Sequence, residues 1–271
     1  MPVNQKTFNR IADGVKKFQP LIDSAKSRDI NESDTVVLLI GILSEVLGYD
    51  RYTEVTTEKA YKGTYCDLAL KVNDKIEILI EAKAVGIELK DAHIKQAVDY
   101  ASNGGLDWVI LTNGINWKIY KMIFAKPVQS ILAYEFNFLE LKHKNEEDLE
   151  RLALFSREAI NKNALGEFFE QRQATNRFML GNLLFEEGVL NQIRKELKQV
   201  YPDLKVSKEE IAKIIANEVV KREVLESEES NEAKKKIAKA NRKVVKQKGE
   251  RAKEETISPV IEANEETQPQ Q

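Results

Sequence analysis

The sequence predicts an α/β fold, a mixed central sheet flanked by helices, followed by an all-helical extension and a disordered charged tail. Three observations carry this reading. The first 140 residues alternate helix-like apolar stripes with short β-rich runs, and one helical segment separates the third run from the fourth. Residues 141–230 are rich in Leu, Glu, Lys and Ala at helical spacing. Beyond them charge comes in blocks: ten Lys or Arg and one Glu from Lys234 to Lys253, then five Glu and no basic residue to the end. The expected organisation is therefore an α/β domain over residues 1–140, a helical extension over 141–230 and a charged tail over 231–271.

In chain order, Asp34 is placed to cap a helix over Thr35–Leu47, closed by Gly48. Tyr52–Thr57 and Tyr65–Val72 read as strands. The Asn73-Asp74 pair supplies a hairpin turn into a third strand, Lys75–Ala84. A helix over Leu89–Ser102 ends at Gly104-Gly105, and Asp107–Thr112 is a buried strand. Asn113-Gly114 then turns the chain into a fifth strand, Ile115–Met122. A helix between the third and fourth strands implies a crossover, hence a mixed sheet. Trp108 and Trp117 are expected to pack that sheet. In the extension, Leu149, Leu152, Leu154, Phe155 and Ile160 suit one amphipathic helix. Ser207-Lys208-Glu209-Glu210 has the form of a capping box ahead of Ile211, Ile214, Ile215 and Val219. The tail is poor in aromatic residues and cannot bury enough apolar surface to offset its ordering entropy. Its Lys234–Lys253 block suits a solvated helix.

Composition excludes several classes. The chain is 42% hydrophobic and 32% charged with a net charge of -2, so it is not a globally basic nucleic-acid binder. The longest apolar run, Val36–Leu43, is too short to span a bilayer. Met1–Arg10 lacks the apolar core of a secretory signal. One cysteine and two histidines furnish neither a disulfide framework nor a four-ligand zinc site. The expectation is a cytoplasmic protein with no membrane segment.

The charges inside the α/β part carry the chemistry. Asp67 lies within an apolar strand, and Glu81 and Lys83 share one face of the next, two residues apart. Counting back from the Asn73-Asp74 turn places Asp67 and Glu81 roughly level across the hairpin. Two facing carboxylates repel unless a cation lies between them, and Mg²⁺ takes oxygen ligands of this kind. A lysine beside such a site can hold a water or steady a developing negative charge. The set suits phosphodiester hydrolysis by metal-activated water.

Asp67 with Glu81-Ala82-Lys83 at a strand end resembles the D…E-x-K signature of the restriction-endonuclease-like nuclease superfamily. Gln96 and Tyr100, spaced Q-x-x-x-Y on the following helix, resemble its RecB-like branch. The Leu111-Thr112-Asn113-Gly114 turn with Trp117 and Tyr120 is similar to the N-terminal nuclease domain of type I restriction enzyme R subunits. The resemblance spans about Asn31–Met122. It implies a restriction-endonuclease-like fold and a Mg²⁺- or Mn²⁺-dependent endonuclease acting on DNA. Asp67 and Glu81 would bind metal, with Glu45 assisting from the preceding helix, and Lys83, Gln96 and Tyr100 would complete the catalytic set. The chain contains no G-x-x-x-x-G-K-[ST], so no P-loop ATPase and no ATP is expected in it.

Plainer readings stand beside these. Glu81-Ala82-Lys83 suits an ordinary exposed strand, Asp67 a residue bonding a neighbouring loop, Glu45 a solvated helix position and Tyr100 a core aromatic. The alternative function is an inactive nuclease-fold module that binds DNA or a protein partner, through the helical extension or the tail, in a restriction, defence or phage setting.

Overall fold

A computed structural model describes residues 3–61 and 64–255; of residues 58–61, 64–65 and 243–255 it describes the backbone alone. The last part of the expected tail, residues 256–271, lies outside the described residues. The chain divides into two compact units, Met1–Glu170 and Gln171–Gln271.

The first unit opens with a helix that the strand-and-helix pattern from residue 31 onward does not include. Helix α1 (Gln5–Ser27) starts at Asn4, whose side chain accepts from Thr7 N–H, and it buries Ile11, Val15, Phe18 and Ile22 along one face. Helix α2 (Glu32–Gly41) is capped by Asn31, not by Asp34: Asn31 Oδ1 accepts from Asp34 N–H at 2.9 Å. It runs on as a π-helical turn over Ile42–Val46. Arg10 of α1 reaches that end, donating to the carbonyls of Val46 and Leu47.

Strands β1 (Val55–Tyr61), β2 (Thr64–Val72) and β3 (Lys75–Ala82) form an antiparallel meander. The first begins later than expected because Asp50 Oδ1 collects the N–H groups of Tyr52 and Thr53, folding residues 50–53 into a turn. Between β2 and β3, Asn73 and Asp74 both have positive φ, 52° and 62°. That is the two-residue turn whose twist matches the flanking strands. A 3₁₀ turn (Asp91–Ile94) leads into α3 (Lys95–Gly104), and β4 (Trp108–Thr112) then pairs parallel to β3, the expected crossover. Strand β5 (Asn116–Ile123) returns antiparallel, and a sixth strand absent from the sequence expectation, β6 (Gln129–Asn137), completes the sheet. The order is β1-β2-β3-β4-β5-β6.

Both faces of the centre are covered, as a partly parallel sheet requires. Leu68, Leu70, Ile78, Ile80, Ile110 and Ile119 face a core shared with α1, α2 and the π turn. Ala69, Leu79, Val109, Leu111 and Met122 face α3 through Ala97, Tyr100 and Ala101. Trp108 and Trp117 are buried, as expected.

The single helix expected around residues 149–160 is two, α4 (Glu146–Ala153) and α5 (Arg157–Ile160), because Ser156 starts a new N-terminus by accepting from Ala159 N–H. Leu149, Leu152, Leu154 and Phe155 enter the sheet core. Phe168 and Phe169 of α6 (Ala164–Ala174) pack against the same core. The boundary expected at residue 140 therefore lies near Glu170.

The second unit contains α7 (Arg177–Leu183), α8 (Glu187–Val200), α9 (Lys208–Ile214), α10 (Arg222–Glu226) and α11 (Glu228–Glu255). The capping box forms: Ser207 Oγ accepts from Glu210 N–H, and Glu210 accepts from Ser207 N–H at 2.7 Å. The boundary expected at Ser230 falls inside α11. Its first turns bury Ala233 and Ile237 while Lys234, Lys235, Lys236 and Lys239 stay exposed.

Candidate functional site

The site is set by one irregularity in the β2–β3 hairpin. Near the turn the strands pair as Val72↔Lys75 and Lys71↔Ile76, but a bulge between Leu70 and Lys71 shifts the register to Leu70↔Ile78 and Leu68↔Ile80. Continuing the outer register sets Asp67 against Glu81. Without the bulge Asp67 would face Ile80, and its carboxylate would enter the apolar core.

At this end of the sheet the side chains meet. Asp67 Oδ2 accepts from the backbone N–H of Ala82 at 2.7 Å. Lys83 donates to Glu81 Oε1 and to the carbonyl of Ala82, both at 2.7 Å, and forms an ion pair with Glu32 Oε2 at 3.5 Å. Its own backbone N–H extends the parallel pairing to Thr112 O. Glu81 is only 7% exposed. Burial raises its pKa, the Lys83 bond opposes the rise, and the nearby Asp67 charge adds to it. For Lys83, burial works against the charge. The Glu81 bond and the charges of Glu81, Glu32 and Asp67 outweigh that, so its pKa lies above the ordinary lysine value.

The turn after β4 holds the strand end. Asn113 is buried, and its Nδ2 donates to the carbonyls of Val85 and Ile87, just beyond Lys83. Its Oδ1 accepts from Ile115 and Asn116 N–H. Gly114, at φ 85°, permits this tight return. The Leu-Thr-Asn-Gly motif is thus a clamp between the Lys83 segment and β5.

The structure brings together Asp67, Glu81 and Lys83. It does not bring Glu45 to them: that side chain is exposed and paired with Lys17 of α1. Glu32, in the first turn of α2, is the helix carboxylate that reaches Lys83. Sequence reasoning passed over it, since nothing local sets it apart from other first-turn acids. Gln96 is exposed on α3, and Tyr100 is buried between α3 and the sheet. Cys66 is buried beside the site with its pKa pushed up to about 12, first by burial and then by the Glu81 charge; its thiol donates to Ile80 O and is no nucleophile at neutral pH.

Among the described residues no group of three or more His, Cys, Asp or Glu stands ready to hold a metal ion. The donor chemistry nevertheless fits a hard divalent cation. Glu81 Oε1 and Ala82 O converge on one cationic group, the Lys83 ammonium, and Asp67 adds a carboxylate beside them.

Residues 38–132 match the family described as type I restriction enzyme R protein N terminus (HSDR_N). No curated protein and no solved structure matches. The segment from the end of α2 into β6, which carries Asp67, Glu81, Lys83 and the Asn113 clamp, is thus similar to the N terminus of type I restriction enzyme R proteins.

Proposed function

We propose that the first unit is a Mg²⁺- or Mn²⁺-dependent nuclease module acting on DNA. The observation that carries this is the convergence of Glu81 Oε1 and Ala82 O on a single cation beside Asp67, within the segment that matches the R protein family. Asp67, Glu81 and the Ala82 carbonyl would hold the metal, which when bound would polarise the scissile phosphate and acidify water. The Ala82 N–H fixes the Asp67 carboxylate, so that group needs no rearrangement to present its second oxygen. Lys83, held charged by Glu81 and Glu32, would orient a water or steady the phosphate oxygens as negative charge grows. Glu32 keeps the ammonium at the strand end. Gln96, exposed on α3, would touch the DNA backbone, and Tyr100 would support α3 from below.

Plasmid nicking with Mg²⁺ or Mn²⁺ tests the reading. Asp67→Ala and Lys83→Ala are each expected to lower the rate about 100-fold or more. Equal background cutting by wild type and both variants would refute catalysis at this site. The direct Lys83–Glu81 contact favours a second reading, an inactive module whose carboxylate is already neutralised. In that case DNA binding survives in the assay while metal-dependent cutting is absent from the wild type as well.

A further inference from the structure

Helix α11 takes no part in the candidate site, and its exposed face carries one sign of charge. The helix is held in the second unit through Ser230, Ala233 and Ile237, all buried, and Ser230 accepts from Asn182 of α7. On the side away from these residues, Lys235, Lys239 and Arg242 follow at spacings of four and three. That repeat keeps side chains on one helix face. All three are exposed, and among the described residues none of them forms an ion pair. Other cations of the unit are paired: Arg177 with Glu223, Lys208 with Glu187 and Arg222 with Glu226. Lys234 instead donates to Leu225 O and fastens α11 to α10. The acids nearest in sequence, Glu228, Glu229 and Glu232, precede the stripe, and Glu186 accepts from Asn241. The helix continues to Glu255, and from Lys243 to Lys253 the sequence adds five Lys or Arg against Glu250 alone. The net charge of -2 conceals this block.

What accompanies the charges narrows the partner. Between Lys234 and Arg242 the exposed uncharged residues are Ala238, Ala240 and Asn241, with no aromatic and no large apolar side chain among them. A helix lying in a membrane interface needs such apolar groups, and here Ile237 is buried against protein. The buried centres of protein interfaces are depleted in lysine. Single-stranded nucleic acid is gripped by stacking on aromatic rings, which this face lacks. The phosphate backbone of a duplex asks only for cations spaced along a line. Positions 235–253 extend over roughly 27 Å of helix, comparable with about eight base pairs. We infer that α11 binds the phosphate backbone of double-stranded DNA without sequence preference, in addition to any contact made by the Asp67, Glu81 and Lys83 site. The choice of DNA over duplex RNA rests on the function proposed for the first unit; the charge argument does not.

Fluorescence anisotropy of a labelled DNA duplex titrated with the full chain tests the inference, in EDTA and over roughly 50 to 200 mM salt. The wild type is expected to bind unrelated sequences equally, with affinity that falls steeply as salt rises. Lys235→Ala, Lys239→Ala and Arg242→Ala combined should weaken binding about 10-fold or more and lower the log–log salt slope by about 2 to 3. Alanine at exposed helix positions should leave the circular dichroism spectrum unchanged. A wild type that does not bind, or a triple variant that binds like the wild type, would overturn the inference. So would equal affinity for single-stranded DNA, tighter binding to duplex RNA or tighter binding to anionic phospholipid vesicles. Binding seen only after removal of residues 256–271 would make the chain's own acidic end the occupant and would overturn it too. EDTA prevents metal-dependent cutting, so a failed plasmid-nicking assay leaves this result untouched, and a failure here leaves that assay untouched.

Discussion

Single residues decide how firmly the candidate site is held. Asn113 uses one amide to satisfy two carbonyls and two N–H groups in a buried turn. Asn113→Ala leaves these groups without partners, so a loss of about 2 kcal/mol in urea denaturation is expected. Asn113→Asp keeps the acceptor and should recover part of it. Glu158 is a second case. It takes both guanidinium nitrogens of Arg10, at 2.7 and 2.9 Å. Burial raises its carboxyl pKa, but the Arg10 bond and charge outweigh that and leave it lowered. A carboxylate with a depressed folded pKa adds stability above its unfolded pKa, and that stability disappears as pH falls through the folded value. Glu158→Gln should therefore cost about 1 kcal/mol at pH 7, modest because both side chains remain about a third exposed. The difference between variant and wild type should shrink progressively below about pH 4. A gap that stays constant in acid would contradict the assignment.

Elements meet where a small residue allows it. On α1, a Cβ added at Gly14 would lie 2.7 Å from Val46 Cγ2 and 2.9 Å from Cγ1, so helix and π turn touch through the missing side chain. Gly14→Ala gains up to about 1 kcal/mol of helix propensity. Overpacking against a branched, buried valine is expected to outweigh that gain, for a net loss of about 1–2 kcal/mol. Val46→Ala in the same chain should return part of the loss, a coupling that denaturant midpoints of the two single variants and the double variant would reveal. Two elements are not legible in the local pattern. Helix α1 shows a regular Ile11-Val15-Phe18-Ile22 stripe, but Pro20 inside it and lysines around it mask the pattern. Strand β6 lacks strict alternation because its exposed half buries neither face.

At the scale of the molecule, the chain forms two compact units, and both tryptophans lie in the first. A fragment ending at Asn176, after α6, is expected to fold by itself. Its tryptophan emission maximum and near-ultraviolet circular dichroism should match those of the full chain, and it should unfold in one cooperative transition. A fragment with exposed tryptophan emission would show that the second unit is needed for the first to fold.

The sequence by itself determined the order of the sheet's first five strands, the β3–α3–β4 crossover, the Asn73-Asp74 turn, the Ser207 capping box and the presence of Asp67 and Glu81-Ala82-Lys83 on neighbouring strands. These follow from local rules: period-two and helical patterning, turn residues and the cost of a charge on an apolar strand. Tertiary structure alone decided which charges meet. The one-residue bulge in β2–β3 turns Asp67 toward Glu81, and α2 delivers Glu32 rather than Glu45 to Lys83, while α1 claims Glu45 through Lys17. It also decided that α4, α5 and the phenylalanines of α6 belong with the sheet and that α11 begins before the lysine block. Amphipathic spacing marks which face of an element is apolar. The surface that covers that face is set by long-range packing, which no local pattern records.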